Sequence, residues 1–292
     1  STLLMNAIPA IISGIKRIVL VNPTKDGKQS PGVLYAAKKC GIKEIYSVGG
    51  AQAIAALAYG TNKIKKVNKI VGPGNIYVSY AKKKVFGEVG IDMIAGPSEI
   101  TVVGDKNSNP KWIAADLIAQ AEHDINSQCI LISKDFKLIK NVKRFIKEQI
   151  NILPRKKIAK ESLKKNGLFI YSSSDKKIIE IVNLIAPEHL ELNLKNNNKI
   201  AKQIKNAGSI CLGKYSAMAA TDYNVGSNHV LPTNSSAKFS SGLSVYDFYK
   251  RISVINLSKK GIETIGEQVI KLANYEGLVG HARSVEVRIR RK

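Results

Sequence analysis

Cysteine is scarce: the 292-residue chain has three, Cys40, Cys129 and Cys211, and no C-x-x-C pair. A disulfide framework and a cysteine-rich zinc finger are therefore excluded. Aromatic residues make up 6% and there is a single Trp, too few for a surface built on stacking. No uninterrupted apolar stretch approaches the length of a bilayer span, and no signal peptide opens the chain. The expectation is a soluble, cytoplasmic protein of a reducing compartment with no membrane partner. Ser1 is not an initiator Met, so the chain is expected to be a piece of a longer protein.

Acidic residues are also few, 22 against 46 Lys and Arg, which leaves a formal net charge of +24. Such a balance invites a nucleic-acid reading. The kind of charge speaks against it. Only eight of the basic residues are Arg, the side chain whose bidentate fork suits phosphate and base edges, and the Lys are spread along the whole chain. Runs such as Lys82-Lys83-Lys84 read as solvated helix faces, and no nucleic-acid partner is expected. At 44% hydrophobic and 23% charged the composition is that of a globular protein, long enough to form two domains.

What the sequence has in abundance is alternation. Short β-branched runs (Ile18–Val21, Ile45–Val48, Lys69–Val71) alternate with helical patterns (Gly32–Lys39, Ala51–Ala58, Asn75–Lys84), which predicts βαβ units and a mostly parallel sheet. Ile100–Val103 completes that sheet or leads into the next. A second α/β unit follows: helix Pro110–Glu122, strand Cys129–Ser133, helix Asn141–Ile150, strand Leu168–Tyr171, helix Lys176–Ile185 and strand Ser209–Leu212. From Val245 the pattern is helical and polar through Gly261–Leu272, and the tail Arg288–Lys292 reads as a closing strand or a frayed end. Soft boundaries near 100 and 243 give segments 1–100, 101–243 and 244–292.

Two strand-to-helix turns carry glycines, Gly49-Gly50-Ala51-Gln52 and Gly72-Pro73-Gly74-Asn75. Glycine lets backbone N–H groups approach a ligand at a helix N-terminus, but neither turn fits G-x-G-x-x-G, and tight βα turns need glycine in any case. The four histidines, His123, His189, His229 and His281, each lie in a polar segment. Gln120 and His123 are three apart on a helix and share a side, a spacing that suits two ligands of one metal as well as a decorated helix end. Ala186-Pro187-Glu188-His189 sets an acid beside an imidazole at a proline-fixed position just after a helix, where His could act as base and Glu could activate water. Thr221–His229 reads as a polar loop, and Glu276–His281 places an acid and an imidazole around two glycines. Asp222 with His123 and His281 would suit zinc.

Taken in order, Val48–Ala56, Val71–Tyr77, Gly96-Pro97-Ser98-Glu99, Gln120–Asp124, Ala186–Leu192, Thr221–Thr233, Gly242–Phe248 and Glu276–Val287 resemble the motifs of the histidinol dehydrogenase family along the whole chain. The resemblance implies an α/β fold of two Rossmann-like domains, 1–100 binding NAD and 101–243 holding the catalytic groups, with a C-terminal helical segment, 244–292, that reaches a partner in an intertwined homodimer with shared active sites. It implies oxidation of L-histidinol through L-histidinal to L-histidine, using two NAD, one water and one Zn²⁺ per subunit. Zinc would be held by Gln120, His123, Asp222 and His281. Ser98, His229 and Glu276 would contact substrate, as would the zinc ligands and His189. His189 would be the base, Glu188 would activate water, and Gln52 and Asn75 would touch NAD. Family chains carry a further N-terminal portion before the position of Ser1, including strands of the domain with Glu188-His189, so the second sheet is expected to be incomplete. Other readings are a related zinc/NAD amino- or sulfo-alcohol dehydrogenase and a basic nucleic-acid-binding α/β protein. Thiol chemistry at Cys129 or Cys211 is rejected, because both sit in apolar strand patterns where Cys is a buried small hydrophobe.

Overall fold

The computed structural model describes residues 1–24 and 26–289. In chain order its elements are α1 (Thr2–Ile12), β1 (Val19–Val21), α2 (Pro31–Lys39), β2 (Glu44–Tyr46), α3 (Gly50–Tyr59), β3 (Lys69–Ile70), α4 (Ile76–Val85), β4 (Gly90–Ile91), β5 (Glu99–Gly104), α5 (Pro110–Ala121), β6 (Gln128–Ser133), α6 (Phe136–Gln149), α7 (Lys156–Asn166), β7 (Gly167–Tyr171), α8 (Asp175–Ile185), β8 (His189–Asn193), α9 (Asn197–Ala201), β9 (Ser209–Leu212), α10 (Met218–Tyr223), α11 (Lys259–Tyr275) and α12 (Val279–Ile289). Every strand pairing is parallel, as βαβ alternation requires. The first part holds two short pairs, β1-β2 and β3-β4, and the second a five-stranded sheet in the order β7-β6-β5-β8-β9. Among the described residues no helix is long and apolar enough to cross a membrane.

Register decides what each face of the five-stranded sheet carries. Ile100 pairs with Cys129 and with His189, and Val102 pairs with Leu131 and with Glu191. Side chains alternate along a strand, so these six residues share one face. There Ile100, Val102, Cys129 and Leu131 pack under Ile113, Leu117 and Ala121 of α5 and Met218 of α10. The opposite face is largely aliphatic, with Thr101 beside Val103, Ile130, Ile132, Leu190 and Leu192, and these aliphatic residues pack on Ile178 and Val182 of α8. Each fully buried Leu or Ile side chain contributes about 1.5–3 kcal/mol, so this face locks β8 beside β5. A one-residue slip would turn His189 and Glu191 into the aliphatic layer.

Several expectations need correction. Ile100–Val103 belongs to β5, the middle strand of the five-stranded sheet, all six of whose residues are buried; it completes no part of the first sheet, and a boundary at 100 cuts through it. Strand β8 replaces the expected turn after Pro187, because its polar residues fall on one face and its leucines on the other. Helix α6 starts at Phe136, capped by Asp135, whose side chain accepts from the Lys137 N–H. Helix α5 ends at Ala121 and His123 follows its cap. Thr221–Tyr223 are helical, in α10. Helices α1 and α7 and strand β4 had no sequence reading. Of the tail read as a strand or frayed end, Arg288 and Ile289 are in α12 and residues 290–292 lie outside the described residues.

Residues 1–249 form one compact unit and residues 250–292 another. In the second, α11 and α12 pack through Ile270, Ala273, Ala282, Val285 and Ile289. Their junction is a Schellman turn: Gly277 (φ +74°) donates to Asn274 O at 3.0 Å and Leu278 donates to Ala273 O at 2.8 Å. Gly277 thus answers a backbone need.

Lys82, expected on a solvated face, is buried. Its side chain is 2% exposed and that of Asp92 0%; the two form an ion pair, and Lys82 also donates to Gly72 O at 2.9 Å while Asp92 Oδ2 accepts from the Gly72 N–H at 2.8 Å. Both backbone groups of Gly72, which has φ +111°, are tied down in this way. Removing one partner of a buried pair leaves an uncompensated charge, at a cost of about 3–5 kcal/mol. Lys82→Met and Asp92→Asn are therefore each expected to lower unfolding free energy by that order in urea titrations. The double variant Lys82→Met/Asp92→Leu should recover much of the loss, and equal destabilisation of single and double variants would contradict the pairing.

Candidate functional site

A cavity of about 220 Å³ opens in the first unit, lined among others by Gly72, Pro73, Ser98, Gln120, His123, Glu188, His189, Asp222 and His229. Segments far apart in sequence converge there. Gln120 and His123 come from the end of α5, Glu188 and His189 from the start of β8, Asp222 and His229 from α10 and the loop after it, and Ser98 from the turn into β5.

The backbone around Glu188-His189 is tightly determined. Helix α8 ends at Ala186, which is fully buried and in the left-handed region (φ +51°, ψ +60°), a conformation that favours glycine. Downstream, Pro187 O accepts from the Gly208 N–H and Glu188 O from the Ser209 N–H, both at 2.9 Å. A Cβ on Gly208 would stand 2.6 Å from Glu188 O, so only glycine fits.

Side-chain contacts then fix the roles. Glu188 Oε2 accepts from the Glu99 N–H at 2.8 Å, and Glu99 Oε2 accepts from the Glu188 N–H at 3.4 Å. Glu99 Oε1 accepts from the Asn234 N–H at 2.8 Å. Burial pushes the Glu99 carboxyl above its ordinary value, though these amides hold it back. The His189 Nδ1 lies 3.2 Å from Glu99 O, and a carbonyl can only accept, so Nδ1 carries the hydrogen. Nε2 is left facing Asp222 Oδ1 at 3.2 Å. Burial opposes a charged His189, but hydrogen bonding and the charges of Asp222 and Glu188 prevail and push it up to about 10. By the same reasoning His229 donates from Nδ1 to Asp222 O at 2.9 Å, and its Nε2 accepts from the Thr2 hydroxyl at 3.3 Å.

Gln120 is 1% exposed, and its Oε1 is buried with no hydrogen-bond partner among the described residues. A buried unpaired carbonyl beside His123 and Asp222 in one cavity fits a cation bound there. Among the described residues no three His, Cys, Asp or Glu side chains gather as a metal cluster. The expected ligand set does not ask for one within the first unit, since it takes a Gln and draws on His281. Glu276 caps the end of α11 and His281 lies in the first turn of α12, both in the C-terminal unit.

The expected dinucleotide contacts are not among the residues lining the cavity and lie at two helix N-termini. Gln52 is in the first turn of α3 and Asn75 caps α4, accepting from the Val78 N–H at 3.1 Å through Oδ1. Gly72 and Pro73, just before Asn75, do line the cavity. The glycines have backbone and packing reasons of their own: Gly50 sits at φ +72°, and a Cβ on Gly74 would meet Val78 at 2.4 Å. The cysteines offer no thiolate, because burial pushes Cys129 up to about 12 and Cys211 up to about 11. Glu99 was not singled out in the sequence as a site residue. Its signal was an acid opening an otherwise apolar β-branched run.

Parallel sheets with a buried acid–imidazole pair at the start of β8 define an α/β enzyme with an acid–base site. The sequence profile of the histidinol dehydrogenase family matches residues 1–289, and the chain belongs to that family. It is 71% identical to the histidinol dehydrogenase of Pelagibacter ubique (strain HTCC1062) and 51% identical to that of Bacillus subtilis (strain 168), covering all of this chain and 68% of each relative. The crystal structure of histidinol dehydrogenase from Elizabethkingia anophelis superposes with a TM-score of 0.95 at 43% identity, over 99% of this chain and 67% of that one.

Glu99 holds two amides, the buried one of Glu188 and the one of the exposed Asn234. Leaving a buried donor unpaired costs about 1–3 kcal/mol, so Glu99→Ala is expected to lose about that much in denaturant unfolding, together with most activity. A variant of unchanged stability would show that these amides find other partners.

Proposed function

We propose that this chain supplies the catalytic groups for the oxidation of L-histidinol through L-histidinal to L-histidine, the last step of histidine biosynthesis, with NAD and Zn²⁺. The observation that carries the reading is the single cavity lined by Gln120, His123, Glu188, His189 and Asp222 in a chain of this family. Gln120, His123 and Asp222 would hold the metal, with His281 contributed by a second subunit of a homodimer; Ser98, His229 and Glu276 would bind the substrate. When bound, zinc would fix the imidazole and amino nitrogens of the substrate, and two NAD would each take up one hydride. Gln52 and Asn75 would contact the dinucleotide beside the Gly72-Pro73 turn, whose backbone is clamped by Lys82 and Asp92.

The chain's own groups then have distinct tasks. His189, oriented by its Nδ1–H on Glu99 O, presents Nε2 to the substrate hydroxyl and takes its proton as the carbinol hydrogen departs as hydride. A base must be neutral, and Asp222 is one of the two carboxylates that raise His189; a cation shared with Asp222 takes that charge out of the balance. The aldehyde cannot give a second hydride until water adds to its carbonyl. Glu188, held at Oε2 by the Glu99 N–H, removes a proton from that water as its oxygen bonds to carbon, protonated His189 returns its proton to the carbonyl oxygen, and the neutral imidazole then accepts a hydroxyl proton from the hydrate.

This division of labour is testable by supplying the two substrates separately under single-turnover conditions and following NADH. Glu188→Gln is expected to slow histidinal oxidation by about 10²–10⁴-fold, the usual worth of a positioned general base, and to spare histidinol oxidation more. His189→Asn should slow both. Equal losses on both substrates in Glu188→Gln would make the glutamate structural or a shared base.

Sharing of sites has its own expectation. His281→Ala should lose zinc yet keep NAD binding, and co-refolding it with inactive His189→Ala should restore part of the activity in mixed dimers. Full zinc occupancy in His281→Ala, or dead mixtures of two dimerising parents, would refute the shared site.

A further inference from the structure

Behind the cavity, on the same face of the sheet as His189, lies a second acidic residue that the mechanism above does not use. Glu191 is 1% exposed. Its Oε1 accepts from the Met218 N–H at 2.7 Å, and Asn193 Nδ2 approaches Oε2 at 3.4 Å. Met218 is the first residue of α10, which has no side-chain cap of its own; Asp222 follows one turn later. The Glu191 carboxyl also lies beside that of Asp116 of α5, in hydrogen-bonding reach, one turn before Gln120 on the same helix face. Two carboxylates have only acceptors, so that contact requires one proton between them. The pair thus touches α5, β8 and α10, the three elements that carry Gln120, His189 and Asp222.

We propose that Glu191 and Asp116 are positioning residues, a proton-sharing carboxyl pair that seats α10 against α5 and so sets Asp222 relative to Gln120 and His189. The inference rests on the assignment of Gln120 and Asp222 as metal ligands. Its chemistry is simple: Glu191 fixes the start of α10 by accepting its first free N–H, and the shared proton lets the buried Glu191 and the half-buried Asp116 approach without repulsion. The groups facing Glu191 are Asp116 from α5, Met218 N–H from α10, Asn193 from its own strand, and Cys211 from β9, whose thiol also feels Asp116 and Asp222. None of these is a cation. Burial, and the charge of Asp116, push Glu191 up to about 8; burial pushes Asp116 up to about 6. An acid raised in the folded state gives stability that is full below the ordinary carboxylate range and is lost as pH rises toward its folded value. The pair therefore favours the seated arrangement most in acid and loosens it as pH passes about 8.

The test compares Glu191→Gln, which can still accept from Met218 and donate to Asp116 without titrating, with Glu191→Ala, which can do neither. Zinc affinity is read by chelator competition, NAD affinity by fluorescence titration, and kcat and KM with histidinol at pH 7. Glu191→Gln is expected to match the parent within about threefold throughout, whereas Glu191→Ala should bind zinc about 10–100-fold more weakly, the usual loss when a ligand's support is removed, with NAD affinity unchanged. In chelator, with no metal present, the Tm of the parent should fall between pH 5 and pH 9 by clearly more than that of Glu191→Gln. Undiminished zinc affinity in a folded Glu191→Ala, or identical pH slopes of Tm in the parent and Glu191→Gln, would overturn the proposal; should Glu191→Ala fail to fold, the slopes decide. A parent that binds no zinc would sink the ligand assignment alone, and the slopes together with the kcat of the two variants would still judge the pair.

Discussion

The pairing of β8 with β5 is the constraint on which the site depends. It is secured by the aliphatic side of the sheet, where Leu190 and Leu192 are fully buried with Val103, Ile130 and Ile132. Because side chains alternate, packing those leucines forces His189 and Glu191 onto the other side, beneath α5 and α10. The apolar layer therefore orients polar groups it never touches. Backbone pairing with β9 and the left-handed Ala186 set the strand's starting point, which leaves Glu188 in reach of the Glu99 amide.

From that constraint the polar network follows by satisfaction of buried groups. Glu99 and Glu188 exchange amide hydrogen bonds, His189 is held on Glu99 O, and the Thr233–Ser235 turn closes over them, with Thr233 Oγ1 accepting from the Gly96 N–H at 2.6 Å. A Cβ on Gly96 would stand 2.1 Å from Asn234 Nδ2, so a side chain there would displace that of Asn234. Among the described residues, Gln120 Oε1 is a buried cavity atom without a protein partner, and such an orphan points to what the cavity is shaped to receive.

Much of this was legible in the sequence, for identifiable reasons. Alternating β-branched and helical patterns marked the strands β6, β7 and β9 and most helices of the α/β units; β6 reads as an apolar run because it is buried on both faces, and the edge strands β7 and β9 keep apolar residues even where they are exposed. His189–Asn193 escaped because its strand carries His and Glu on the cavity side, so the apolar run is broken where function requires it. Helix α6 was read five residues short because its early turns are rich in Lys, whose stems lie outside the buried Leu138, Ile139 and Val142. Lys82 was hidden by its neighbours: three consecutive lysines look alike in sequence, but on a helix they point in directions 100° apart, and one of them meets Asp92. The polar motifs around the histidines were visible individually; their convergence was not, since nothing local says that residues 98, 120, 188 and 222 share a cavity.

The net charge shows most clearly what composition can and cannot say. A chain at +24 suggests an attraction for anions, yet the site is lined by acids: Glu188 and Asp222 in the cavity, with Glu99, Glu191 and Asp116 behind them. The two facts are compatible because of where each charge sits. Surface lysines are spread over the whole chain, and salt screens exposed charges beyond about 8–10 Å. Carboxylates in a dry cavity act on their neighbours with far less screening. His189 registers the difference, since it is raised rather than lowered despite being buried in a strongly basic protein. The local field is negative, and it favours a cation over phosphate. The scarcity of acids in the composition thus sharpens their meaning, because several of those the chain does have are gathered on four elements around one cavity.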